Sequence, residues 1–431
     1  LFLESLMPRY DVVFREARIL AEGGAPRQVD VAIRDGRIEA ILPAIPGEGA
    51  AEVRCAGRWL LPGAVDMHVH LRDPGMTHKE DLATGTAAAV ASGVTTVCDM
   101  PNTRPPVLGI DEFRAKAARA REVAHCDVRL YVALGRDNVD AIARCAAEPS
   151  FAGVKVFLGA TTGDMLSDDR TLAAAVDALP CLFVFHAEDE GVLRRSLGTA
   201  GPMPDARAHH VLRPAAAAIE GARRIAALAA PGRRLHICHL SAADELPFLT
   251  GPDAPTAEVA PHHLWFTADD TARQGNLLKV NPPVRLGSDR DALRIALADG
   301  RIAAVATDHA PHTLSEKAEP YTTAPSGVPG LDTLVPSTLR LVQLGLMSMA
   351  RAVDALSAAP ARLLGLTDRG TVAEGLRADL YLWDEGRTWI VQRSDLRTRC
   401  GWSPFEGFTL AARPDAVWFG GRQVVAPDSI G

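Results

Sequence analysis

Eight short apolar runs rich in β-branched residues, each followed by an Ala-rich stretch of helical character, constrain this chain more than any other feature. They are AVDMHVH (64–70), VTTVCDM (94–100), VRLYVAL (128–134), GVKVFL (153–158), LFVFHAE (182–188), RLHICHL (234–240), TAEVAPHH (256–263) and IAAVATDHAPH (302–312). Runs this continuously apolar suit strands buried on both faces, and strands alternating with helices suit parallel pairing. Eight such units over roughly 300 residues predict an α/β fold, a (β/α)8 barrel of the TIM type.

The flanks read differently. DVVFREARIL, VDVAIRDGRIEAIL with its Asp35-Gly36 turn, and AEVRCAGRWLL precede the barrel, and ADLYLWD, TWIV and AVWFGGRQVV follow it. Each end alone is too small to bury a core, so the two ends together predict one small β-sandwich-like domain. The expected division is 8–61 and 367–431 for that β domain, with 62–366 for the barrel.

A net charge of -7 on 431 residues gives no basic face for nucleic acid. The seven cysteines (55, 98, 126, 145, 181, 238 and 400) contain no C-x-x-C pair, and an odd number cannot complete a disulfide framework, so a reducing cytoplasm is the expected location. The opening LFLESLM is too short for a membrane span and lacks the basic flank of a signal peptide, which makes Met7 a candidate start.

Several apolar runs end in residues that can hold a metal: His68 and His70 in the first, His186 in the fifth, His239 in the sixth and Asp308 in the last. Taken singly, each has a structural explanation, such as a satisfied core histidine or a helix-capping aspartate. In a barrel, however, the carboxyl ends of all strands meet at one face, so these residues converge. His68 and His70 lie two apart on one strand and point to the same side. Lys155 stands mid-strand in GVKVFL, where an ammonium has a heavy desolvation cost. Either an acidic neighbour pairs with it, or the neutral amine takes up carbon dioxide as a carbamate, an oxygen donor able to bridge two cations. Four histidines, a carboxylate and a carbamate would divide between two divalent ions, with zinc suited to nitrogen and oxygen donors. Cys98 and Cys238 lack ligand spacing and read as core thiols.

The stretch DMHVHLRDPGMTHKEDLATGTAAAVASGVTTVCDMPNTRPP (66–106) resembles dihydroorotases of the amidohydrolase superfamily, as do GVKVFLGATTGDML, FHAEDE, HICHLS, PHHLWF, KVNPPVR, ATDHAPHT and APSGVPGLDT. The resemblance spans nearly the whole chain. It implies reversible cyclisation of N-carbamoyl-L-aspartate to L-dihydroorotate. It also implies that His68, His70 and Asp308 hold one metal, that His186 and His239 hold the second, and that carboxylated Lys155 bridges them. Some members bridge with an aspartate, for which Asp164, Asp168 and Asp169 are the nearby alternatives. Arg72, Asn102 and His312 match positions that bind the substrate carboxylate; Asn281, Ser326 and Gly327 match positions that contact the ring; Thr161 and Thr162 fall on a loop similar to the substrate flap. No family metal position remains for His262 and His263, which points to a structural role.

The expected chemistry is attack by metal-activated water on the ring amide, with Asp308 carrying the proton. Two rivals stand beside it: another cyclic amidohydrolase of the dihydropyrimidinase, hydantoinase or allantoinase kind, and an inactive scaffold for aspartate carbamoyltransferase. Arg72 and Asn102 weigh against the first, since those substrates lack the same carboxylate, and the filled ligand positions weigh against the second. A homodimer, a homotetramer and association with aspartate carbamoyltransferase are left open by the sequence, which implies neither a nucleic-acid nor a membrane partner.

Overall fold

A computed structural model of the chain describes residues 10–159, 168–198 and 205–426. The first strands are β1 (Tyr10–Leu20), β2 (Pro26–Arg34), β3 (Arg37–Leu42), β4 (Gly49–Arg54) and β5 (Trp59–Pro62). Asp35 (φ 49°) and Gly36 (φ 74°) both take left-handed backbone between β2 and β3, as a two-residue hairpin turn requires.

Eight strands then alternate with helices: β6 (Ala64–Val69), β7 (Val94–Asp99), β8 (Asp127–Ala133), β9 (Phe151–Phe157), β10 (Leu182–His186), β11 (Arg234–Ile237), β12 (Thr256–Val259) and β13 (Ala304–Val305). They pair in parallel and in sequence order, β6 through β13. Alternation along each strand sorts the side chains. Val154 and Val156 of β9, Phe183 and Phe185 of β10 and Leu235 and Ile237 of β11 join the outer core, while Leu182, Val184, Cys98 and Cys238 belong to a separate inner cluster with Tyr131. Lys155 and His186 share the inward phase.

The seam between β6 and β13 closes through a parallel bridge, Val69 to His309, and a hydrogen bond from His70 N to His309 O of 2.8 Å. Beneath it the fully buried Asp66 carboxylate accepts from Thr307 Oγ1 (2.6 Å), Thr307 N (3.0 Å) and His68 N (3.2 Å). One side chain thus joins the first and last strands.

The remaining strands are β14 (Leu380–Trp383), β15 (Thr388–Ile390), β16 (Thr409–Ala411), β17 (Ala416–Phe419) and β18 (Arg422–Val425). A second eight-stranded sheet runs β18-β17-β14-β5-β1-β2-β3, with β4 on β1, so both ends of the chain build it. β15, within TWIV, pairs instead with β16 in a two-stranded sheet of its own. Three apolar runs lose three residues or more as strands. β11 stops at Ile237 and β13 at Val305, short of the left-handed His239 (φ 38°) and Asp308 (φ 47°). β12 stops at Val259, where Pro261 opens the helix Pro261–Trp265 at a position that needs no N–H. No helix among the described residues is long and apolar enough to cross a membrane.

Replacing Asp66 by Ala takes the side-chain acceptor from two buried backbone N–H groups, Thr307 N and His68 N, and leaves the Thr307 hydroxyl only His68 O, so Asp66→Ala is expected to cost about 3 kcal/mol of unfolding free energy. Urea unfolding of wild type and variant measures it; a loss below about 0.5 kcal/mol would remove Asp66 from the closure.

Candidate active site

The carboxyl ends of the barrel strands surround a cavity of about 270 Å³ lined by His68, His70, Arg72, Asn102, Lys155, Phe157, His186, His239, Lys279, Asn281, Asp308, His312 and the 324–327 segment. His68 reaches it from β6 and His186 from the last position of β10. His239 and Asp308 stand just beyond their strands, and Arg72 (φ 61°) just beyond β6. Left-handed backbone is costly for side-chain-bearing residues and here turns three of them into the cavity.

Three of the four histidines are anchored from behind. His70 Nδ1 donates to Asn102 Oδ1 (2.7 Å), His68 Nδ1 to Glu258 Oε1 (2.6 Å), and His186 Nε2 to Glu188 Oε2 (3.0 Å). Glu258 also meets His236 Nε2 at 3.3 Å, and Arg213 clasps Glu188 at 2.5 Å. Burial opposes the charge on both carboxylates, yet His68 and His236 hold Glu258 well down, and Arg213 and His186 hold Glu188 well down, so both are ionised. Anchoring of this kind fixes the tautomer and aims the other ring nitrogen inward.

The inward atoms ask for a cation. Burial holds His70 down to about 3, so its Nε2 carries a lone pair, and that lone pair faces Asp308 Oδ1 at 3.2 Å. Asp308 is itself held far below the usual carboxylate range, chiefly by His68, in spite of its burial. His68 Nε2 lies 3.3 Å from the same oxygen. Burial and Lys155 push His68 down, but Cys238, Asp308 and Glu258 prevail and hold it up at about 10, another sign that this point favours positive charge. Donor atoms of His68, His70 and Asp308 all lie within 4.8 Å of one another. Beside them His186 Nδ1 and His239 Nε2 stand 3.1 Å apart, with burial keeping both rings neutral. Buried nitrogen and carboxylate donors this close fit divalent metal.

Lys155 is 1% exposed, donates to Cys238 Sγ at 3.2 Å and lies 5.4 Å from the Phe157 ring centroid. Among the described residues no carboxylate lies within 4.0 Å of its ammonium. Asp168 caps the helix Asp169–Ala178 and Asp169 pairs with Arg224, so neither serves Lys155. Asp164, Thr161 and Thr162 lie outside the described residues. Cys238 is a core thiol and also contacts Lys155, which its spacing does not announce.

Arg72 is buried rather than a surface ion-pair partner, and burial lowers it only to about 10, so it stays a cation. Lys79 Nζ donates to His312 Nδ1 (3.1 Å), which puts the His312 proton on Nε2, where it donates to Ser326 O (3.2 Å). His312 therefore has no lone pair left for Arg72 Nη2 at 3.3 Å; Arg72 Nε donates to Pro311 O (3.3 Å), so the two Nη atoms are the fork that can hold an entering anion. Asn281 accepts from His209 Nε2 at 3.1 Å. His262 and His263 are buried outside the cavity lining, and His263 Nε2 donates to Pro282 O (3.1 Å) behind Asn281.

Glu258, Glu188, Arg213 and Lys279 were not anticipated. Glu258 interrupts the TAEV strand as Lys155 interrupts β9, and Glu188 lies two residues after His186; both signals were available. Arg213 and Lys279 carry no periodic signal.

A barrel with buried metal-competent donors at the carboxyl ends of its strands defines an amidohydrolase, and residues 183–424 match the "Amidohydrolase family" description. That family implies divalent metal ions. Residues 57–245 match "Dihydro-orotase-like". The chain is 38% identical to a dihydroorotase of Halobacterium salinarum, covering 95% of this chain and 96% of that protein. It is 34% identical to one of Lactiplantibacillus plantarum, with 90% and 93% covered. The chain belongs to the dihydroorotase family. Its fold is also that of an L-hydantoinase (dihydropyrimidinase) from Arthrobacter aurescens, with a TM-score of 0.92 and 26% identity over 97% of this chain and 96% of that one.

Glu258→Gln removes the negative charge behind His68 and should weaken divalent-metal binding about 10- to 100-fold. Calorimetric titration with Zn²⁺, Co²⁺ and Mn²⁺ measures this. Wild-type affinity in the folded variant would show that Glu258 does not tune the cluster.

Proposed function

We propose that this protein opens and closes the dihydroorotate ring, interconverting L-dihydroorotate and N-carbamoyl-L-aspartate. The observation that carries the reading is the buried Arg72 fork beside the metal-competent cluster. A guanidinium pairs a planar carboxylate bidentately, and dihydroorotate bears one outside its reacting amide. Dihydrouracil, hydantoin and allantoin lack it, which favours this reading over a hydantoinase despite the structural likeness. The six ligand positions are all occupied by competent residues, which favours an enzyme over a scaffold.

His68, His70 and Asp308 would hold one divalent ion, probed best as zinc, and His186 and His239 a second. Lys155 would bridge as a carbamate, formed when the neutral amine adds carbon dioxide and releases a proton. The lack of a carboxylate partner for Lys155 among the described residues supports this over an acidic neighbour. Bound metal ions lower the pKa of water and polarise a carbonyl oxygen.

The chain's own residues supply the rest. Arg72 and Asn102 hold the substrate carboxylate, His312 lines the pocket beside them and can turn its Nε2–H from Ser326 O to the entering anion, and Asn281 with Ser326 and Gly327 contacts the ring. Asp308 Oδ1, ionised although buried, takes the proton of the attacking water and gives it to the departing ring nitrogen; closure runs the same transfer backward.

Turnover of dihydroorotate beside dihydrouracil, hydantoin and allantoin tests the reading, with dihydroorotate expected to be preferred. Arg72→Lys keeps the charge but loses the fork, so kcat/KM for dihydroorotate should fall about 10- to 100-fold at unchanged metal content. Equal efficiency on the uncharged rings in wild type, or no loss in the variant, would remove Arg72 from this role.

Lys155→Ala should lose metal and most activity, with partial return when acetate or propionate fills the gap. Wild-type metal content and activity in that variant would end the carbamate proposal.

A further inference from the structure

The cavity wall formed by Lys279, Asn281 and residues 324–327 is held from behind by two buried lysines. Lys317 ends the short helix Leu314–Lys317, which begins two residues after His312. Its side chain is 2% exposed, and its Nζ donates to the carbonyl oxygens of Lys279 (3.1 Å), Pro325 (3.0 Å) and Gly327 (3.0 Å). Three carbonyls around one Nζ call for all three N–H donors of the ammonium, although burial and the neighbouring Lys279 push Lys317 down to about 7. Lys279 Nζ donates in turn to Tyr321 O and Ala324 O, each at 2.6 Å. Among the described residues neither ammonium has a carboxylate within 4.0 Å.

A buried ammonium without a counter-ion is a poor way to fill a core, because a methionine would fit the space without the desolvation cost. What an ammonium adds is direction: three donors from one atom, tying two separate segments at fixed spacing. Lys317 joins the carbonyl two residues before Asn281 to the carbonyls on either side of Ser326. The tied segments have little slack. Gly327 N already donates to Lys279 O (2.9 Å), and a Cβ on Gly327 would lie 2.4 Å from Ala310 O. Ser326 O also receives the His312 Nε2 proton, so its position bears on the carboxylate pocket as well.

We propose that Lys317 is a positioning residue that sets the gap between the Asn281 segment and the Ser326–Gly327 segment, and so the fit of the substrate ring. This rests on the dihydroorotase reading. Lys317 neither holds metal nor touches the reacting bond, and Lys279 supports the same segment from its other end.

The test is steady-state kinetics of the metal-loaded enzyme with dihydroorotate, wild type against Lys317→Met, which keeps the length and loses the donors. KM should rise about tenfold or more with kcat within about threefold and metal content unchanged. A merely structural lysine would lower the folded fraction, and with it kcat per chain, at unchanged KM. Lys317→Ala should show the same rise, and added methylammonium or ethylammonium should lower KM again while equal sodium chloride does not. Where a Lys317 variant fails to fold, Lys279→Met is measured in its place, with a KM rise in the same direction expected. Unchanged KM in the folded variant overturns the proposal. A wild-type enzyme inactive on dihydroorotate would overturn the functional reading instead.

Discussion

Asp66 joins the first and last barrel strands through Thr307 and the His68 amide, and the residues that follow it on both strands are the site. His68 and His70 come from one side of this seam and Asp308 from the other. Their donors approach within 3.3 Å because the seam brings β6 and β13 together, although some 240 positions separate them in sequence. A barrel open at this point would keep its helices and most of its core and lose the cluster.

Burial and charge then work together at the cavity floor. The His70 lone pair and the Asp308 carboxylate face one buried region, with Glu258 on the far side of the His68 ring, where electrostatic demands are strongest. The ring caught between them, His68, is held protonated up to about 10, whereas His70, His186 and His239 are kept neutral by burial. The outer shell settles which nitrogen points inward: Glu258, Asn102 and Glu188 each take one ring proton. The same logic extends to the organic end of the cavity, where Lys79 sets the His312 tautomer and thereby leaves Arg72 for an anion.

Strand character was legible because parallel barrel strands are apolar on both faces, so residues such as Lys155 and His186 stand out against them. The inward phase of Lys155 follows from its place between Val154 and Val156, and convergence of the histidines follows from barrel topology. The exact strand ends were not legible: apolar text continues through Ala306 and Cys238, and nothing in it marks Val305 and Ile237 as the last strand residues or Asp308 and His239 as left-handed. TWIV has the pattern of a strand without any sign of which sheet it joins. Arg213 and Lys317 were invisible for a different reason, since their partners lie on distant segments and neither interrupts a periodic run. Glu258 and Glu188 gave the same signal as Lys155, a charged residue in or beside an apolar strand, and both anchor histidines.

The central claim is that this cluster and this carboxylate pocket together catalyse one reversible ring closure. Closure takes up a proton, because carbamoyl aspartate with two negative charges becomes dihydroorotate with one. The direct measurement is to incubate the metal-loaded protein from each side, with dihydroorotate alone or carbamoyl aspartate alone, at several pH values. Both mixtures should reach one common ratio, displaced toward the ring by about tenfold for each unit of falling pH. A metal-loaded protein that converts neither compound at any pH would contradict it.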